Sequence, residues 1–178
     1  MNRVVITGIG AWSCLGQNVD EVKKSLFEGK SGIGFDQERK DMCYRSALTG
    51  ILSKPDLKNL LDRRQRISLG QPAEYAYMAT AEALRMAKME LDWIEKQEVG
   101  IIYGNDSVAQ ATMNSIDIVR AKKDTTLIGS GATFQSMNST VTMNLSTIYK
   151  LKGINFTLAA ACASGSHSIG MGYLLIRT

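Results

Sequence analysis

Two short apolar runs, Val99-Gly100-Ile101-Ile102-Tyr103 and Ile154 to Ala161, constrain the fold more than any other feature of the chain. Each reads as a buried strand and leads into residues with helical spacing. Apolar strands separated by helices build a mostly parallel sheet covered on both faces. A third run, Val4-Val5-Ile6-Thr7, predicts another buried strand. It ends at Gly8-Ile9-Gly10, which reads as a glycine turn passing tightly from strand to helix.

The intervening segments carry helix signals. Asn18 with Glu21 three residues on resembles a capping box, and Val19, Val22, Leu26 and Phe27 supply an apolar stripe. Gly29, Gly32 and Gly34 close that helix into a loop, and polar, irregular sequence continues through Lys54-Pro55. Pro72 suits the first turn of a long helix through Leu91, with Tyr75, Met78, Ala79, Leu84 and Met86 inward. Gly104-Asn105 ends the Val99 strand, and Ser107 or Asp106 is placed to cap a helix running towards Lys123. Gly129-Ser130-Gly131 leads into a helix from about Gln135 to Tyr149, and a last helix starts near Ala163.

Charge and cysteine content narrow the function classes. Lys and Arg total 21 against 17 Asp and Glu, a net charge of +4 that suits an acidic partner without requiring one. The basic residues are not interleaved with aromatics and no zinc-finger or RNP-like signature occurs, which argues against nucleic acid. Cys14, Cys43 and Cys162 share no metal-ligand spacing, and His167 is the single histidine, so neither metal nor cofactor is expected. Three cysteines cannot all pair within one chain, and no signal peptide follows Met1, so a reduced, cytoplasmic protein is expected. The stretch between Lys152 and Arg177 carries no formal charge and is long enough for a membrane span. Its Asn155, Thr157, Ser164, Ser166, His167 and Ser168 favour a strand followed by a helix buried all round.

Two places could carry chemistry. Gly8-Ile9-Gly10 after a strand hints at a dinucleotide fingerprint, but Ser13 occupies the third glycine position and no acidic strand end follows. In Leu158-Ala159-Ala160-Ala161-Cys162-Ala163-Ser164-Gly165 a cysteine stands where an apolar strand turns into a helix. Open α/β sheets place their sites beyond the carboxyl ends of strands. A helix N-terminus favours negative charge, and its amides can receive an oxyanion. A buried, inert cysteine fits the same residues, and the turn alone leaves both readings open. His167 is no partner for Cys162: five residues along a helix turn the side chain by roughly 140° and raise it about 7.5 Å. Gly165, Gly170 and Gly172 each cost about 1 kcal/mol inside a helix, which suggests close approach by another backbone.

The stretch from Gly153 through Cys162 to Ile169 resembles the active-site pattern of the β-ketoacyl synthases: glycine, apolar strand, small residue, cysteine, small residues, apolar position. Val5-Ile6-Thr7-Gly8-Ile9-Gly10, Glu28-Gly29-Lys30-Ser31-Gly32-Ile33 and Asp62-Arg63-Arg64 fit the same family in order and spacing. The resemblance implies an α/β fold of the thiolase-like αβαβα kind. Residues 1–178 would be one N-terminal βαβαβα half, ending inside the central helix after the active-site cysteine. It implies an acyltransferase in which Cys162 forms an acyl thioester and its amide is half of an oxyanion hole. Condensation with malonyl-acyl carrier protein follows, in fatty acid or polyketide synthesis. The family's two catalytic histidines and lysine belong to a second half, so this chain alone is expected to be inactive in condensation. Arg45, Arg63, Arg64 and Arg66 fall where the family docks its acidic acyl carrier protein; the residues by themselves fit a solvated basic face equally. Asp106 and Met137 fall near its acyl tunnel, with helix capping the alternative for Asp106. A homodimer, or a heterodimer with another ketosynthase subunit, is expected. Rival readings are a non-catalytic partner of the chain-length-factor kind, which usually lacks the cysteine, and a nucleotide-binding module using Gly8 and Gly10.

Overall fold

The computed structural model describes residues 2–178. Its elements run α1 (Val19–Phe27), β1 (Ile33–Phe35), α2 (Gln37–Asp41), β2 (Leu48–Gly50), α3 (Arg63–Ser68), α4 (Gln71–Met86) and α5 (Leu91–Lys96). They continue β3 (Ile101–Gly104), α6 (Gln110–Lys122), α7 (Ala132–Gln135), α8 (Thr140–Ile148), β4 (Asn155–Leu158) and α9 (Ser164–Arg177). The chain divides into two units. One contains Met1–Ile6, Asp56–Tyr77 and Met89–Thr178; the other contains Thr7–Pro55 and Met78–Lys88.

The first unit is built on the two strands that the apolar runs predict, but they are not buried as expected: β3 is half-buried throughout, and Asn155 and Phe156 of β4 are exposed. β3 and β4 are parallel, with Ile101 opposite Asn155 and Gly104 opposite Leu158. Both α8 and α9 lie against this pair. The core consists of Leu57, Leu61, Leu69, Ala73, Ala76, Ile94, Val141 and Leu145, all buried. Helix α8 enters it with polar groups satisfied, as burial demands. The Thr142 and Thr157 hydroxyls lie 2.8 Å apart, tying α8 to β4. Asn144 Nδ2 donates to the carbonyls of Thr140 at 2.7 Å and Ser68 at 3.1 Å, while Ser68 Oγ donates to Asn144 Oδ1. These bonds bind α8 to the end of α3. Tyr149 stacks on Tyr77 with ring centroids 6.0 Å apart. Burial, and then the neighbouring Tyr77, push the Tyr149 hydroxyl well above its ordinary range.

Several expectations are corrected here. Val4 to Thr7 form no strand, because none of the described strands lies alongside to pair with them. The long helix stops at Met86 because Lys88 takes a left-handed conformation with φ 54°, and α5 starts afresh at Leu91. Neither Asp106 nor Ser107 caps α6, whose N-cap is Ala109 with no side-chain hydrogen bond. The expected helix from Gln135 to Tyr149 is two helices, α7 and α8. Helix α9 is not buried all round. Only Ser164 and Ser168 are buried in it, while Ile169 is 69% exposed and Leu174, Leu175 and Ile176 are exposed as well. Nothing lies within 4 Å of where a Cβ on Gly165, Gly170 or Gly172 would stand. Its apolar faces find no cover among the described residues of this unit. No helix of the described residues is long and apolar enough to cross a membrane.

The second unit confirms one cap and revises two loops. Asn18 accepts from the Glu21 N–H at 2.9 Å, and Glu21 Oε2 accepts from the Gln17 N–H at 2.8 Å, so α1 starts where expected. Its stripe is only half realised: Val19 and Val22 are half-buried, Leu26 and Phe27 exposed. The irregular stretch after α1 contains an antiparallel hairpin, β1 with β2, in which Ile33 faces Gly50. Three-residue strands interrupted by glycines carry too little alternation to be seen in sequence. Gly8 and Gly10 do not turn a strand into a helix. They let the backbone lie directly on α4, where any Cβ would collide with the carbonyls of Ala83 and Ala79. Glu82 accepts from the Ala11 and Val19 N–H groups at 2.9 and 3.0 Å, fixing this approach. A nucleotide phosphate has no room between those glycines and the helix, which overturns the nucleotide-binding reading.

Candidate active site

Beyond the carboxyl end of β4, the chain makes a tight turn through Ala160, Ala161 and Cys162 into α9. Ala161 is left-handed, with φ 47°. A non-glycine residue in that region is disfavoured by contact between its Cβ and its carbonyl, so the surroundings must hold it there. Ser164, the first residue of α9, does part of this. Its buried hydroxyl donates to the Ala161 carbonyl at 2.7 Å and accepts from the Ala160 N–H at 2.8 Å. The Ala163 N–H bonds back to the Ala160 carbonyl at 2.9 Å. Cys162 is thereby presented at the N-terminal end of a 14-residue helix with its side chain exposed. Cys162 is therefore not a buried core cysteine.

The end of β3 supplies the other wall. Gly104 lies so close to α9 that a Cβ would collide with the Ser164 carbonyl. The close approach anticipated for the helix glycines is made by a strand glycine instead. Asn105 continues the ladder by donating its N–H to the Leu158 carbonyl at 3.0 Å. Asp106 then reaches across, and its Oδ1 accepts from the Ala161 N–H at 2.7 Å. Asn138, between α7 and α8, exchanges bonds with both: Asn105 Nδ2 donates to its carbonyl and its Nδ2 donates to the Asp106 carbonyl, each at 2.7 Å. Met137, the neighbour of Asn138, is 39% exposed. The structure thus joins Ala161, Asp106, Asn105 and Asn138 in one hydrogen-bonded cluster, with Cys162 and Met137 next to it in the chain. Ser164, Asn105 and Asn138 went unseen in the sequence, where a serine after small residues and two isolated asparagines give no signal.

The other predicted residues sit elsewhere. Arg63, Arg64 and Arg66 occupy α3, opened by an Asp62–Gln65 capping box. Arg63 and Arg64 are exposed, whereas Arg66 Nε donates to the Leu61 and Asp62 carbonyls at 3.2 and 3.3 Å. Arg64 borders a groove of about 310 Å³ with Gln65, Phe134, Met143 and Thr147. Arg45 is exposed in the other unit. His167 is exposed on α9, with its N–H bonded to the Ala163 carbonyl. Cys43 is exposed, and Cys14 is half-buried against the glycines of the β1–β2 hairpin.

A cysteine displayed between a parallel strand and a buried-serine helix start invites comparison with known proteins. Residues 1–178 match the model of the β-ketoacyl synthase N-terminal domain. The chain belongs to the β-ketoacyl synthase family. It is 35% identical over 178 residues to a 3-oxoacyl-[acyl-carrier-protein] synthase 1 of Haemophilus influenzae, covering 99% of this chain and 44% of that protein. To the enzyme of the same name from Escherichia coli K12 it is 33% identical over 172 residues, covering 96% and 42%. The chain therefore spans less than half the length of these curated relatives. A crystal structure of a β-ketoacyl synthase from Burkholderia phymatum superposes with a TM-score of 0.84 at 27% identity, covering 99% of this chain and 44% of that one. A type II polyketide ketosynthase solved with its acyl-carrier protein superposes with a TM-score of 0.72 at 19% identity, which establishes the shared thiolase-like fold. It covers 99% of this chain and 47% of that one.

Proposed function

We propose that this β-ketoacyl synthase chain supplies the acyl-accepting nucleophile of a condensing enzyme. The observation that carries the reading is the exposed Cys162 thiol on a left-handed turn at a helix N-terminus, in a chain of this family. The Cys162 thiolate attacks the carbonyl carbon of an acyl group held as a thioester on an acyl carrier protein. The new carbon–sulfur bond replaces the old one, and the carrier sulfur leaves as a thiolate that takes up the proton Cys162 had given up. The Cys162 amide at the start of α9 is assigned to the transient oxyanion. Condensation follows when the acyl carbonyl is attacked by the carbanion that malonyl carrier protein yields on losing carbon dioxide; the acyl carbon–sulfur bond breaks and Cys162 leaves as its thiolate. That step is assigned to a protein whose second half supplies the two histidines and the lysine the family uses, and in which 1–178 is the N-terminal half. A non-catalytic partner has no use for a displayed nucleophile, which disfavours that alternative.

Exposed Arg63 and Arg64 on α3 are assigned to the acidic carrier protein, and exposed Arg45 is assigned to it separately. Arg66 is already bonded to its own helix start and contributes charge alone. Met137 is assigned to the acyl chain, where a flexible thioether accommodates different shapes.

The protein is incubated with acyl-loaded carrier protein, and the acyl mass is mapped by peptide. The expected result is an adduct on Cys162 that Cys162→Ala abolishes; exposed Cys43 serves as the internal control for unspecific transfer. An adduct shared equally with Cys43, or none, overturns the reading. Arg63→Glu with Arg64→Glu is expected to raise the half-saturating carrier concentration at low salt and flatten its salt dependence.

A further inference from the structure

We infer that Asp106 is a positioning residue for the nucleophile, holding Ala161 left-handed so that Cys162 faces the incoming thioester; this rests on the function proposed for Cys162. Asp106 follows β3, 55 residues before Ala161, yet its Oδ1 accepts the Ala161 N–H at 2.7 Å. The residue whose N–H it takes is the one with φ 47°, immediately before the cysteine. An alanine resists that conformation, so the turn reverts to negative φ unless something holds it. The bond is charge-assisted, which makes it stronger than a neutral one. Asp106 is itself held, because its carbonyl accepts from Asn138 Nδ2 at 2.7 Å and its neighbour Asn105 donates to the Asn138 carbonyl. Ser164 grips the turn at the Ala160 N–H and the Ala161 carbonyl, leaving the Ala161 N–H for Asp106. The two side chains therefore hold different groups of the same turn. The carboxylate has no other hydrogen bond among the described residues, and α6 begins without it. Its place in the chain is explained by the turn rather than by helix capping.

The role makes a demand that a tunnel-lining or merely structural residue does not. Losing the bond releases a strained residue, so folding stability changes little while the direction of the thiol changes. Single-turnover transfer from acyl-loaded carrier protein to Cys162, followed by mass, separates these cases. Asp106→Ala is expected to slow transfer at saturating carrier by about tenfold or more with an unchanged half-saturating concentration, since small misplacements of a reacting group cost that much. Asp106→Asn, whose Oδ1 can accept the same N–H, is expected to restore the rate to within about threefold. Adding Ala161→Gly to Asp106→Ala is expected to recover part of the loss, because glycine visits positive φ without penalty. The thermal midpoints of all three variants should stay close to that of the parent protein. A wild-type rate in Asp106→Ala, or no gain from Ala161→Gly, overturns the inference. Absence of any acyl mass on Cys162 in the parent protein instead overturns the function on which it rests.

Discussion

Helices α8 and α9 flank β4 in sequence, and both lie against the β3–β4 pair, yet they meet opposite fates. Helix α8 is rich in threonine, serine and asparagine, and Thr140, Val141, Thr142, Asn144 and Leu145 are all buried. Helix α9 carries Ile169, Met171, Leu174, Leu175 and Ile176 and leaves every one of them exposed. Burial thus follows the availability of a partner surface rather than the hydrophobicity of the helix. Helix α8 has α3, β3 and β4 around it and uses side-chain hydrogen bonds to enter. Helix α9 buries only Ser164 and Ser168 of its three serines, and Ser164 shapes the turn that carries Cys162.

The contrast breaks most readily at a large buried side chain of α8. Leu145→Ala should destabilise the protein by about 2–5 kcal/mol, because Leu145 is only 1% exposed and its removal leaves a cavity. Ile169→Ala, at 69% exposure, should change stability by less than about 0.5 kcal/mol. Urea denaturation of the two variants measures both, and comparable losses would mean that α9 is covered in solution. Gly104→Ala sharpens the comparison where the start of α9 is tightly packed on β3. Its Cβ collides with the Ser164 carbonyl, so about 1–3 kcal/mol should be lost and Cys162 alkylation by iodoacetamide should change with it. Unaltered alkylation would show that the strand end and the Cys162 turn are not coupled.

Polar burial in α8 is the next test. Asn144→Ala strips partners from Ser68 and leaves the Thr140 carbonyl short of a donor, which should cost about 1–3 kcal/mol. Asn114, exposed on α6, should tolerate the same change with little loss, and equal effects at the two positions would refute the difference. The smallest effect belongs to an exposed pair. Lys150 Nζ bonds Glu95 at 2.9 Å and holds its carboxyl below the usual range. A depressed carboxylate contributes stability above its ordinary value of about 4.3 and loses it as pH falls through the folded value. Glu95→Gln should therefore differ slightly from the parent in urea midpoint at neutral pH and match it in strong acid. A gap that widens on acidification would contradict this.

How far the chain could be read from its residues differs between strand and turn. β3 and β4 were legible because a run of β-branched and apolar residues bounded by glycine has few other uses. The N-terminal run has the same composition and forms no ladder, since a strand exists only when another lies alongside it. The β1–β2 hairpin was illegible because its pairing is backbone bonding between segments with no alternation. Cys162 was legible because a small-residue turn between strand and helix displays whatever it carries. Asp106 was singled out in the sequence, but the bond it makes was not legible there. A carboxylate two residues past a strand looks like a helix cap, and only the tertiary structure puts the Ala161 N–H within reach.

By itself, then, the sequence determined the parallel strand pair, the helix that follows the cysteine, and Cys162 as the residue to watch. These depend on local spacing and on side-chain chemistry carried along the chain. Tertiary structure alone decided which helix is buried, why Gly8, Gly10 and Gly104 must be glycine, and what holds Ala161 left-handed. Those outcomes depend on atoms brought together from distant positions, where a carbonyl or carboxylate a few ångströms away sets the energy and the local sequence carries no trace of it.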